Sequence, residues 1–151
     1  MRKLHNDGQM IDVSDRLDDL VLRLEGEDGL AAVYLYGSYG TPHQTPLSDV
    51  DLAFVFRPDM GPDFDDHLRL IGIVTRTLTE DDVSVTILNR EPLPFQHEVL
   101  RTGRPLFIRD EVGLADFVEF VIDRFCDFAI DYDAMLRDYD RSLREAYGTC
   151  R

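Results

Sequence analysis

The chain has 151 residues, 44% of them hydrophobic, with 16 basic against 30 acidic side chains and a formal net charge of −14. That length fits one domain whose core needs no disulfide or structural metal. That charge excludes the basic footprint of nucleic-acid binders and of proteins that adsorb to anionic lipid.

Val13, Leu17, Leu20, Val21 and Leu24 fall at helical spacing, with Ser14 as a candidate N-cap and Gly26 and Gly29 bracketing the stop. Ala31–Tyr36 is a short apolar run that reads as a buried strand closed by Gly37. Residues 37–48 hold Gly37, Gly40, Pro42, Pro46 and Ser48 and read as a loop. A second strand follows over 51–56. Residues 63–79 carry Phe64, Leu68, Ile71, Val74 and Leu78 at helical intervals. Val83–Leu88 reads as a third strand, residues 95–102 as a short helix, and Leu106–Ile108 as an edge strand. From about 112 to 147 the pattern is helical again. Phe117, Val121, Phe125 and Phe128 form one stripe, and Leu136, Tyr139 and Leu143 continue it. Asp131 could cap a new helix there, so a bend near Ile130–Asp131 and a C-terminal helix pair are expected. The order predicts an α/β (α+β) domain over 1–151, with a small mixed sheet and flanking helices, a core of about 14–110 and C-terminal helices over about 112–147.

The two cysteines, Cys126 and Cys150, imply no disulfide framework, and Cys126 is expected to pack as a small hydrophobe. Residues 1–6 are followed by acid and not by an apolar run, so no signal peptide is expected. No apolar stretch approaches the length of a membrane span. These features suit a cytoplasmic location.

The chemistry concentrates in Leu35-Tyr36-Gly37-Ser38-Tyr39-Gly40 and Asp49-Val50-Asp51-Leu52. A strand ending in Gly-Ser lets backbone approach a ligand closely, because Gly37 has no Cβ in the way. The Ser38 hydroxyl and neighbouring N–H groups would suit a triphosphate. Asp49 and Asp51 lie two apart at a strand start and so point to one face. Like charges so placed are costly unless a cation lies between them, and hard oxygen ligands beside phosphate describe a Mg²⁺ site.

Gly37-Ser38, ten further residues, then Asp49-x-Asp51 resembles the motif of the DNA polymerase beta-like nucleotidyltransferases. Within them the chain resembles the minimal, MNT-type (MntA) members, the antitoxin halves of toxin–antitoxin pairs whose toxin is a HEPN-domain RNase. Leu88-Asn89-Arg90, the segment Glu98-Val99-Leu100-Arg101-x-Gly103-Arg104 and the C-terminal helical region add to the likeness, which spans about residues 14–147. The resemblance implies transfer of AMP from ATP to a tyrosine of the partner toxin, with Gly37 and Ser38 holding the triphosphate and Asp49 and Asp51 binding Mg²⁺. The superfamily usually carries a third acid on the next strand. Ser84 stands at that position here, and Asp82, two residues earlier on the same strand face, is the candidate substitute.

Two other functions stay open: a fold-sharing antitoxin that masks its toxin without chemistry, and a small-molecule nucleotidyltransferase of the aminoglycoside-modifying kind. A DNA polymerase relative is opposed by the acidity. His43 and Tyr39 lie in the motif loop, where the one could touch a nucleotide and the other stack on adenine. Arg90 and Arg104 could reach phosphate or a partner. His5, His67 and His97 have no metal-ligand spacing. The acids of the C-terminal helical region could meet a basic toxin surface.

Overall fold

The computed structural model describes residues 10–80 and 82–148. Cys150 and His5 lie outside the described residues. The elements are α1 (Ser14–Leu24), β1 (Leu30–Tyr36), β2 (Val50–Phe56), α2 (Phe64–Leu78), β3 (Val83–Ile87), a 3₁₀ turn (Leu88–Arg90), α3 (Leu93–Thr102), β4 (Arg104–Ile108) and α4 (Glu111–Tyr147).

β1 and β2 are apolar on both faces, so both are driven to the middle of a sheet with helices on each side. The strand order is β3-β2-β1-β4, antiparallel at β1/β2 and β1/β4 and parallel at β2/β3. The sheet is therefore mixed, and β4 lies at an edge as expected. α2 makes the crossover that lets β3 run parallel to β2.

Alternate residues of the central strands feed two cores. Val33, Leu35, Leu52 and Phe54 pack with Leu20 and Leu24 of α1 and Leu70 and Val74 of α2. Ala32, Tyr34, Ala53 and Val55 face the other way, toward Val99 of α3 and Leu114, Phe117 and Val121 of α4. The short side chains Ala32 and Ala53 leave room on that face for the helices.

Caps fix the helix starts. Asp63 accepts from the Asp66 N–H at 2.9 Å, and Asp66 accepts from the Asp63 N–H at 2.9 Å, a reciprocal capping box that opens α2. At α1 the Ser14 side chain does not cap. Val13 occupies the N-cap position, and the Ser14 N–H and hydroxyl both donate to Asp12 Oδ1.

Three expectations are corrected. The third strand ends at Ile87, and Leu88 begins the 3₁₀ turn. The C-terminal helix pair is a single helix of 37 residues, with no break at Ile130–Asp131. No Gly or Pro interrupts residues 114–147, and an Asp caps a helix only where the backbone has another reason to leave helical geometry. Cys126 is exposed, because it lies on the face of α4 turned away from Phe117 and Val121, as Glu119 and Ile122 do. No helix among the described residues is long and apolar enough to cross a membrane.

Candidate active site

The sheet topology gathers the motif at one end. β1 finishes at Tyr36, and antiparallel pairing puts Tyr36 beside Asp51 at the start of β2. Parallel pairing puts Ser84, near the start of β3, on the other side of Asp51. Three elements thus meet at Asp51: the Gly37 turn, the β2 start and the β3 start.

Gly37 is required there twice over. Its φ is +74°, in the left-handed region, and a Cβ on it would collide with Asp51 Oδ2. The close approach seen at Gly37 is to the Asp51 carboxylate. Asp51 is half-buried and Asp49 exposed. Burial raises the Asp51 carboxyl above its ordinary value, the Asp49 charge raises it further, and a hydrogen bond from the Ser84 hydroxyl partly offsets both. This is the electrostatic imbalance expected of two carboxylates that a divalent cation would relieve, so the donor set fits Mg²⁺ completed by phosphate oxygens.

Asp82 lies one residue before the Val50–Val83 pair, just as Asp49 does on β2, and its carbonyl accepts from the Val50 N–H at 3.0 Å. Among the described residues no three His, Cys, Asp or Glu side chains form a group suited to a metal, so Asp82 does not join Asp49 and Asp51 in one.

The loop between the two motif elements is held by its own side chains. Ser38 donates to Ser48 Oγ at 2.7 Å, and Ser48 Oγ also accepts from the Thr45 N–H at 2.8 Å. Thr41 Oγ1 donates to the Ser38 carbonyl at 2.6 Å. Gln44 accepts from the Gly40 N–H and donates to the Ile11 carbonyl, both at 2.8 Å. Sequence reasoning missed Ser48, and its only signal was a second hydroxyl directly before Asp49.

Several candidates have other tasks. Tyr39 is buried in the core, and its hydroxyl accepts from the Val13 N–H at 3.0 Å, so it packs and does not offer a face for adenine. Arg104 donates to the Tyr39 carbonyl at 3.1 Å and braces the loop. His43 and Arg90 are exposed. His67 bonds the Val85 carbonyl through Nε2 at 2.7 Å, and His97 stacks on Phe125 with 3.7 Å between centroids. Asn89 pins the 3₁₀ turn to β2, accepting from the Phe56 N–H at 2.8 Å and donating to its carbonyl at 2.9 Å.

Residues 19–112 match the family described as Polymerase beta, Nucleotidyltransferase. No curated protein matches the chain. Solved structures agree in fold. A chain from a crystal structure of a toxin–antitoxin with AMP-PNP superposes with a TM-score of 0.64 at 20% identity, covering 83% of this chain and 96% of that one. A complex of tri-AMPylated Shewanella oneidensis HEPN toxin with MNT antitoxin gives 0.62 at 18% identity, covering 85% and 98%. The MntA–HepT toxin–antitoxin gives 0.58 at 18% identity, covering 82% and 96%. With the motif at one sheet end and the family match running through every strand, the chain belongs to the polymerase beta nucleotidyltransferase family.

Proposed function

We propose that this protein transfers AMP from ATP to a tyrosine hydroxyl of a HEPN-type RNase toxin and so acts as its antitoxin in the cytoplasm. The observation that carries the reading is the meeting of Gly37, Asp51 and Ser84 at one sheet end, with Asp49 two residues from Asp51. Its context is a fold shared with chains of toxin–antitoxin structures, one named for AMP-PNP and one for an AMPylated HEPN toxin.

The acceptor oxygen attacks the α-phosphorus of ATP. A new P–O bond forms, the bond to the bridging oxygen breaks, and pyrophosphate leaves. Gly37 and Ser38 bind the triphosphate through the backbone of the turn and the Ser38 hydroxyl, which exchanges its Ser48 partner for phosphate. Asp49 and Asp51 are the residues that would hold Mg²⁺, which when bound supplies charge neutralisation on the phosphates. Asp82, the residue before β3, is the candidate to take the acceptor's proton. Catalysis of this kind rests on positioning and electrostatics. ATP approaches a chain of net charge −14, so its binding depends strongly on divalent metal.

A second reading, an antitoxin that masks its toxin without chemistry, is favoured by Ser84 standing where a third acid is usual. One experiment separates the two. The protein is incubated with Mg²⁺, the product of the adjacent gene and ATP labelled on the α- or the γ-phosphate. The proposal predicts toxin labelled by α-labelled ATP only, with the label lost in Asp49→Asn and Asp51→Asn. A stable complex without label supports masking, and label on an aminoglycoside supplied as acceptor supports a small-molecule enzyme.

A further inference from the structure

α2 carries a second apolar side. Leu70, Val74 and Leu78 are buried in the core, while Phe64, Leu68 and Ile71 are 65%, 50% and 38% exposed. With Thr75, also exposed, these three recur at i, i+4, i+7 and i+11 and form one stripe of roughly 16 Å beside the buried side. On one flank of the stripe His67 is held to the Val85 carbonyl of β3. On the other flank lie Asp65 toward the start of the helix and Arg76 toward its end. Neither enters an ion pair among the described residues.

The remaining charges around α2 are engaged or matched. Arg69, next round the helix, pairs with Glu27 and Asp66, Asp63 and Asp66 form the capping box, and Glu80 pairs with Arg16. Asp19 and Arg23, on the side of α1 that Arg16 turns to α2, add one charge of each sign. At about 0.15 M salt, charges more than about 8 Å apart are largely screened, so the stripe and its flanks decide what packs here, and not the net charge of the chain.

This face fits its own inverse. An antiparallel copy related by a two-fold axis between Leu70 and Ile71 keeps each flank on its own side and reverses its direction. Asp65 of each copy then stands level with Arg76 of the other, giving two ion pairs between copies. Along the contact the apolar side chains alternate: Phe64, the copy's Thr75, Leu68, the copy's Ile71, and the same order reversed, mostly in steps of about 3 Å. Each ridge thus falls into a gap of the other.

We infer that α2 is a self-association surface, on which a second copy of this chain packs antiparallel through Phe64, Leu68 and Ile71 with Asp65 opposite Arg76. α2 lies in the layer opposite α3 and α4, and Asp51, paired with Tyr36, faces the α3/α4 side, so both transfer sites of the pair stay open. The inference does not depend on the identity of the acceptor.

Sedimentation velocity of the full chain over about 5–500 μM in about 0.15 M salt tests it. A monomer–dimer equilibrium is expected, of the weak kind that suits a contact smaller than a standard interface. Leu68→Ala/Ile71→Ala keeps good helix formers on an exposed side and counts twice across the two-fold, so dimerisation is expected to weaken more than about 30-fold. Asp65→Arg and Arg76→Glu are each expected to weaken it about tenfold, and Asp65→Arg/Arg76→Glu to return it to within about threefold of wild type. Circular dichroism checks that each variant keeps its helices. Monomer at every concentration, or a dimer indifferent to Leu68→Ala/Ile71→Ala, overturns the surface. A double reversal as weak as either single one overturns the antiparallel register, and growth beyond a dimer overturns the two-fold. A monomer whose binding to the product of the adjacent gene is lost in Leu68→Ala/Ile71→Ala overturns the second copy as the occupant.

Discussion

The first three turns of α4 and the roughly seven turns beyond Val121 are written in the same residue types and have different surroundings. Leu114, Phe117 and Val121 are buried against the sheet, while Tyr132, Leu136 and Tyr139, at equivalent spacing, are exposed. Periodicity specifies that a helix has an apolar side, and it does not specify which molecule supplies the other side. The body of the protein consumes its apolar pattern internally, and α4 beyond Val121 leaves its own exposed.

Core and distal α4 are expected to respond differently to truncation. Phe54 is fully buried between β1 and β3, so Phe54→Ala is expected to cost about 3–5 kcal/mol in a denaturant titration. Next is Gly37→Ala, where left-handed backbone and the collision with Asp51 coincide. The expected cost is about 1–3 kcal/mol, with a fall in AMP transfer.

Asp66→Ala removes half of the α2 capping box and is expected to cost about 0.5–2 kcal/mol at neutral pH. Its sign with pH follows from the hydrogen bond that Asp66 accepts from the Asp63 N–H, reinforced by Arg69, which holds the Asp66 carboxyl below its ordinary value. A depressed carboxylate stabilises above its unfolded pKa and loses that contribution as pH falls through the folded value. The gap between variant and wild type should therefore close below about pH 4.

Asp51→Asn is expected to act in the opposite direction on stability. It relieves a half-buried charge facing Asp49, so the thermal midpoint rises while transfer is lost. Smallest of all is Leu136→Ala in distal α4, expected to change the stability of the protein alone by less than about 0.5 kcal/mol. A large loss there would mean that distal α4 folds back on the body of the protein.

The same contrast explains what could be read from the sequence. β1, β2, α1 and α2 were legible because apolar runs end at Gly and Pro and because strand and helix periods differ. Gly37, Ser38, Asp49 and Asp51 were legible as a spacing, and the antiparallel β1/β2 pairing brings that spacing together in space. The Ser38–Ser48 bond was not legible, since it joins two loop hydroxyls that no periodicity relates. Tyr39 as core was not legible either, since it depends on where β1 ends relative to that side chain. The unbroken α4 and the exposed Cys126 do follow from the sequence, because residues 114–147 hold no Gly or Pro and Cys126 falls on the helix face away from Phe117 and Val121.

Asp49 and Asp51 are proposed to serve transfer of AMP from ATP to a toxin tyrosine. The most direct measurement is the intact mass of the HEPN toxin purified after co-expression with the wild-type protein or with Asp49→Asn/Asp51→Asn. Toxin heavier by one or more AMP units, mapped to tyrosine, is expected with the wild type, and unmodified toxin with the double variant. Unmodified toxin with both, or modified toxin with both, would contradict that role.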